Sequence, residues 1–174
     1  MCVDEKGDVL LQLGVFAAHN LEEISHLSRD LERLPEWVKE RGPWAEAPSF
    51  AIATGLLTAV VSASSLVGLR ASGLRHVVLV GGPSAALVGN ALSHVARALV
   101  QRRYNGGLAT APAMGLIAAR VFASSTQWTS ASVRRNTFLL GNLAAVPAIV
   151  GSLRAGRFLR AVCVPSVDFN PNKK

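Results

Sequence analysis

The sequence predicts an all-α membrane protein, a polytopic helical bundle with about five transmembrane helices. Charged residues make up 17% of the 174 residues and hydrophobic residues 50%, whereas a soluble domain carries roughly 25% charged residues. Mean hydropathy is positive, at +0.33. The chain also contains long runs without a single charged residue. Together these observations favour lipid over water as the surroundings of the helices.

The uncharged runs predict where the spans lie. Residues 47–69 and 76–96 form runs of 23 and 21 residues, and a helix needs about 20 residues to cross a bilayer. A third run covers 18 residues, 136–153. The run at 104–119 has 16 residues and must continue past Arg120 to cross.

The first apolar run, residues 9–21, is too short to span alone, but its helical pattern continues to Leu34, before Pro35 disfavours further helix. The polar residues of this longer helix share one stripe, because their separations approximate whole turns. They are Gln12, His19, Glu22, Glu23, His26, Asp30 and Arg33. We expect this stripe to face the inside of the bundle.

The basic residues predict an orientation. One side of a five-span bundle collects twelve of the eighteen Lys and Arg and the other side six, and the richer side is expected to be cytoplasmic. The C-terminus would then be cytoplasmic, and the first and third spans would be parallel. We expect residues 1–153 to form one bundle domain and residues 154–174 a basic, disordered tail. The arginines flank uncharged runs, so we expect no nucleic-acid partner despite a pI near 10.4.

Parallel first and third spans would bring their polar residues to one depth near a single membrane face. Ionisable side chains at membrane depth cost a few kcal/mol each and are therefore functional candidates. His19, Glu23 and His94 could hold one divalent metal ion, Zn or Fe, or a carboxylate and an imidazole could perform acid/base work without a metal. The candidate catalytic residues are His19, Glu22, Glu23, Asn90, His94 and Tyr104. The alternative interpretation is structural: the two glutamates mark where the helix leaves the membrane, and His94 joins helices.

Two motifs in the sequence resemble the HXXEE family of small bacterial membrane proteins. The first is His19-Asn20-Leu21-Glu22-Glu23. The second is a histidine in a later span, His94, followed by a tyrosine turn and a Thr-Ala pair in YNGGLATA, residues 104–111. The family usually has Pro-Gly where this chain has two glycines, at 106 and 107. The resemblance covers about residues 9–125. It implies a bacterial cell membrane location and a functional role for the histidines and glutamates, but no particular activity.

Three functions fit these observations. The first is a membrane-embedded enzyme acting on an apolar small molecule, with Asn90 and Tyr104 orienting the site. The second is a protein that binds or transports an ion or a small molecule. The third is a helper subunit in which the cluster only joins helices. The expected partners are the lipid bilayer and an apolar substrate.

Overall fold

Five helices make up the computed structural model, which describes residues 4–32, 36 and 47–163. They are α1 (Glu5–Glu32), α2 (Ala47–Gly68), α3 (Gly73–Gln101), α4 (Ala111–Thr126) and α5 (Ala131–Cys163). No strand occurs in the described residues, so the all-α prediction is confirmed. Three of the helices, α2, α3 and α5, are long and apolar enough to cross a membrane.

The predicted helix at 104–119 is wrong at its start, because α4 begins only at Ala111. Arg102 ends α3 in the left-handed conformation, with φ of 50°. Gly107 has a φ of 88°, a backbone conformation that residues other than glycine rarely adopt. Pro112, at the start of α4, suits a first helical turn. Residues 102–110 therefore form a loop, called here the Tyr104 loop, between α3 and α4.

The ends of two other predicted segments also differ from the structure. The first helix is described as far as Glu32, so its predicted last residues, 33 and 34, lie outside the described residues. The predicted boundary between bundle and tail, at Arg154, falls inside α5, which continues to Cys163. No proline or glycine pair interrupts the chain there, so the helix continues through its three arginines. Residues 164–174 also lie outside the described part of the chain.

Helices α1 and α3 run in the same direction along the bundle, as predicted from the order of the spans. Their side chains meet at three successive levels. These contacts are Glu5 with His76 at 3.0 Å, Gln12 with Ser84 at 2.9 Å, and Glu23 with His94 at 3.1 Å. The polar ends of both helices thus reach the same depth, beside the Tyr104 loop.

The main apolar core lies where α1, α3 and α4 meet. Its buried residues are Phe16, Leu87, Ala91, Ala111, Met114 and Ala118. Helix α5 packs so closely against α3 that a Cβ at Gly89 would collide with the Asn142 side chain. Nδ2 of Asn142 donates to the Ala85 carbonyl at 3.1 Å. Small residues allow such close approach between membrane helices. The outer face of α5 remains apolar and exposed, with Leu143 66% and Val146 61% exposed, which suits contact with lipid.

The alternating direction of the helices and the charge bias lead to a topological prediction. We expect a reporter fused after Lys174 to be cytoplasmic and one inserted in the turn at residues 70–72 to lie on the opposite side. The physical reason is the twelve-to-six distribution of basic residues between the two ends of the bundle. Protease protection of each reporter in sealed vesicles measures this. Two reporters on one side would show that the number of crossings is different.

Candidate functional site

Three side chains converge at the level where α1 and α3 approach the Tyr104 loop. They are His19 and Glu23 on α1 and His94 on α3, called here the His/Glu cluster. One ring nitrogen of each histidine and one carboxylate oxygen of the glutamate all lie within 4.8 Å of one another. The closest pair is Nε2 of His94 and Oε1 of Glu23, at 3.1 Å, and Nε2 of His19 lies 3.9 Å from the same oxygen. Both histidines are buried, whereas Glu23 is 24% exposed. The predicted proximity of His94 to His19 and Glu23 is confirmed.

Thr110 determines which nitrogen of His19 carries the proton. The Thr110 hydroxyl donates to Glu22 Oε2 at 2.7 Å and lies 2.9 Å from His19 Nδ1. Because the hydroxyl proton is directed to the carboxylate, the hydroxyl oxygen accepts a hydrogen bond from the Nδ1–H group of His19. Nε2 is then left as an acceptor, and Asn90 Nδ2 lies 3.2 Å from it. The unprotonated nitrogen of His19 therefore faces the cluster.

Asn105 fixes His94 in the same way. Its Nδ2 donates to the His94 carbonyl at 3.1 Å, which orients the amide so that Oδ1 lies 2.9 Å from His94 Nδ1. Arg97 donates to the same Oδ1 at 3.1 Å. The guanidinium of Arg97, one helical turn beyond His94, also lies 3.2 Å from His94 Nδ1. Nε2 of His94 consequently points toward Glu23.

Glu22 has a different environment from Glu23. Its carboxylate accepts hydrogen bonds from the backbone amides of Ala109 and Thr110, both at 3.0 Å, from the Thr110 hydroxyl, and from the hydroxyl of Tyr104. The two amides belong to the chain entering α4, where an anion is favoured by unpaired N–H groups. Glu22 therefore anchors the Tyr104 loop to α1, one helical turn from His19.

Tyr104 lies at the edge of this arrangement. Its side chain is 39% exposed, and its ring is 5.2 Å from the ring of His26. The hydrogen bond that it donates to the Glu22 carboxylate raises the pKa of Tyr104 above its usual value, since loss of the phenolic proton would bring two negative charges together. Tyr104 thus stays a protonated donor that holds the loop.

Gly107 allows the loop to lie directly against both histidine rings. A Cβ built on it would be 2.5 Å from Cε1 of His19 and 2.8 Å from Cε1 of His94. The two rings themselves are perpendicular, with centroids 4.7 Å apart. The neighbouring Gly106 amide donates to Asp30 Oδ2 at 2.8 Å. Only a residue without a side chain can occupy position 107 while the rings keep this arrangement.

Two cavities include the cluster or its neighbours in their lining. An apolar one of about 620 Å³ lies among α2, α3 and α5, and its lining includes Phe16, Leu87 and Asn90. Its rim includes the exposed side chains of Val60 and Val78, so it opens on the outer surface of the bundle. A polar cleft of about 270 Å³ is lined partly by Glu23, Asp30 and Tyr104. The cluster therefore contacts the polar cleft through Glu23 and is linked to the apolar cavity through Asn90, which lies 3.2 Å from His19.

The structure separates the six predicted site residues into two groups. His19, Glu23, His94 and Asn90 meet, whereas Glu22 and Tyr104 bind each other beside them. The sequence interpretation missed the contributions of Thr110, Asn105 and Gly107. Their signals were present as a Thr before a Pro-containing helix start and as an Asn-Gly-Gly turn.

One comparison with known proteins gives a relationship. A family model described as "Protein of unknown function with HXXEE motif" matches residues 10–122, nearly two thirds of the chain. The matched segment includes most of α1, all of α2 and α3 and most of α4, with every residue of the His/Glu cluster. No curated protein and no solved structure matches the chain.

Proposed function

This chain belongs to the HXXEE family of proteins of unknown function, and we propose that it is a membrane-embedded enzyme acting on an apolar small molecule. The substrate would occupy the apolar cavity among α2, α3 and α5. The His/Glu cluster would supply the chemistry. Three helices suited by length and composition to crossing a membrane support the location.

The observation that carries this proposal is the position of Asn90. Its side chain lines the apolar cavity and its Nδ2 lies 3.2 Å from Nε2 of His19. A molecule in the cavity can therefore contact a side chain that itself contacts the cluster. The cavity volume of about 620 Å³ falls in the range of small-molecule sites, about 300–1,000 Å³.

The cluster is suited to proton transfer. Glu23 and His94 form an acid and base pair at 3.1 Å, and their other partners hold them in place. Such a pair in a largely buried site can exchange a proton with a bound molecule. The polar cleft lined by Glu23 gives this pair a connection to water that does not pass through the apolar cavity.

The proposal predicts that Glu23→Gln binds the substrate without converting it. Purified from its native membranes into nanodiscs, this variant should retain an apolar compound that mass spectrometry of the extract identifies. Wild-type protein offered that compound should convert it, and the variant should be slower by about 10²- to 10⁴-fold, the usual contribution of a general acid or base.

The cavity provides a matched pair of variants for the same experiment. Ala145 lines the cavity, whereas its neighbour Val146 is 61% exposed and lies outside it. Ala145→Phe should therefore abolish retention of the compound and Val146→Phe should not. If wild-type protein retains no compound that Ala145→Phe loses, or if Glu23→Gln converts the compound at the wild-type rate, the enzyme proposal is refuted.

A carrier is the second candidate, because the cluster lines a polar cleft through Glu23 and is linked to an apolar cavity through Asn90. A carrier would release its ligand chemically unchanged. Recovery of the retained compound without any product after incubation with wild-type protein, together with its uptake into protein-containing vesicles, would favour this candidate over the enzyme.

A further inference from the structure

We propose that His19, Glu23 and His94 bind one divalent first-row transition-metal ion, Zn²⁺ or Fe²⁺. The ligands would be Nε2 of each histidine and a carboxylate oxygen of Glu23. This inference deepens the proposed function and rests on it for the role of the ion in chemistry, but the binding site itself rests on the geometry of the three side chains.

The two imidazole rings and the Glu23 carboxylate direct hydrogen-bond acceptors toward one another. Thr110 and Asn105 each accept from an Nδ1 atom, so both histidines direct an Nε2 lone pair into the cluster. Glu23 adds a carboxylate oxygen at 3.1 and 3.9 Å from these nitrogens. Asn90 Nδ2 lies 3.2 Å from Nε2 of His19 and supplies one donor to that nitrogen. The other two acceptors, Nε2 of His94 and Oε1 of Glu23, face each other at 3.1 Å and need a cation or a proton between them. A divalent ion satisfies all three at once, whereas one proton joins only two.

The distances between the three ligand atoms can be compared with those in a tetrahedral zinc site. Zn²⁺ bonds to nitrogen and oxygen are about 2.0–2.2 Å long, so tetrahedral ligand atoms lie about 3.3 Å apart. The 3.1 Å separation between His94 and Glu23 already fits this value, and the 3.9 Å separation between His19 and Glu23 exceeds it by part of an ångström. All three ligand atoms lie within 4.8 Å of one another, so an ion would draw the more distant ligand atoms together. Three protein ligands would leave a fourth position open to water or substrate.

The Nδ1 atoms of both histidines have hydrogen-bond partners of the kind found around metal sites. Metal-binding histidines almost always donate their second nitrogen to a carboxylate, carbonyl or similar acceptor, which fixes the tautomer. Here His19 donates to Thr110, whose hydroxyl donates to Glu22, and His94 donates to Asn105. Gly107, packed against both rings, restricts their rotation. The outer contacts of a metal site are therefore already built.

The polar cleft gives an ion a route to the cluster. Glu23 is the exposed member of the cluster, and it lines the polar cleft of about 270 Å³ together with Asp30 and Tyr104. A hydrated ion could reach the carboxylate through this cleft without crossing the apolar core. The buried histidines would then complete its coordination.

The test is metal content and metal titration of the full chain in detergent. Wild-type protein purified without chelator should contain about one equivalent of Zn or Fe by elemental mass spectrometry. After chelation, Co²⁺ added to the protein should produce the visible absorption of a four- or five-coordinate site, which requires no activity assay. Competition by Zn²⁺ and by Fe²⁺ then separates the two candidate ions.

The variants separate ligands from bystanders. His94→Ala and Glu23→Gln should lose the Co²⁺ spectrum, whereas His26→Ala, which removes a histidine of α1 outside the cluster, should keep it. Thr110→Val should weaken Co²⁺ binding by about 10- to 100-fold through the outer contact. Gel filtration and thermal melting report whether each variant is folded.

Wild-type protein that neither contains nor binds a stoichiometric ion would overturn the metal proposal, as would His94→Ala with an unchanged spectrum. Neither result would affect the enzyme proposal, because Glu23-dependent conversion of the retained compound would still identify an enzyme working by proton transfer. Conversely, a stoichiometric ion without conversion of any retained compound would support the site and refute the enzyme.

Discussion

Gly107→Ala is expected to abolish both the activity and the folded arrangement of the cluster. The added Cβ would lie 2.5 Å from Cε1 of His19 and 2.8 Å from Cε1 of His94, at a backbone φ of 88°. Left-handed strain and overpacking cost roughly 1–3 kcal/mol each, so the free energy of unfolding should fall by roughly 2–6 kcal/mol. Thermal unfolding in detergent, followed by tryptophan fluorescence, measures this loss together with any loss of Co²⁺ binding.

Gly73→Ala is the matched control for that substitution. Gly73 also has a positive φ, of 56°, but a Cβ there would meet nothing within 4 Å. This variant therefore pays only the backbone cost, roughly 1–2 kcal/mol, and should keep the Co²⁺ spectrum. Equal effects of the two substitutions would mean that position 107 matters for its backbone alone and that contact with the histidines is unimportant.

Hydropathy and connectivity were sufficient to predict how the cluster is brought together. Alternating spans make the first and third helices parallel, and residues near the same end of parallel helices share a depth. The parallel direction of these two helices therefore brings His19 and His94 together, although they are separated by 75 positions in the sequence. Helical spacing then added Glu23, one turn from His19, as the carboxylate on the same face.

The Tyr104 loop could not be predicted by the same reasoning. An uncharged run was interpreted as helix from residue 104, although Asn105 and two glycines stand at its start. Hydropathy reports burial and is insensitive to backbone conformation, and this loop is partly buried: Asn105 is 3% exposed. Its polar groups are satisfied by α1 and α3 through Glu22, Asp30 and His94. Such long-range pairing cannot be derived from local sequence.

The roles of the two adjacent glutamates also could not be separated by sequence. Glu22 and Glu23 have the same chemistry and differ by 100° around the helix axis, and both positions are compatible with a site facing α3 and α4. The contacts made by the Tyr104 loop decide the matter. Glu22 receives four hydrogen bonds from the loop, whereas Glu23 faces the two histidines.

Glu22→Gln and Glu23→Gln should consequently have opposite effects on stability and chemistry. All four partners of Glu22 are donors: two amides, the Thr110 hydroxyl and the Tyr104 hydroxyl. A glutamine offers one acceptor oxygen and directs an NH₂ group at the remaining donors. The partly buried hydrogen bonds from Thr110 are the ones that matter most, and losing a typical hydrogen bond costs roughly 0.5–1.5 kcal/mol.

Glu22→Gln should therefore lower the thermal midpoint and release the Tyr104 loop, detectable as faster hydrogen exchange of the amides of Ala109 and Thr110. Glu23→Gln should leave the midpoint and these amides near their wild-type values, since its carboxylate is partly exposed and bonds no loop amide, while Co²⁺ binding and conversion are lost. The reverse pattern, with an unaffected loop in Glu22→Gln and a destabilised one in Glu23→Gln, would contradict the assignment of Glu22 as the anchor and Glu23 as the reactive carboxylate. The HXXEE motif thus joins two functions in adjacent residues, because the carboxylate that holds Thr110 also fixes, through that hydroxyl, the tautomer of His19.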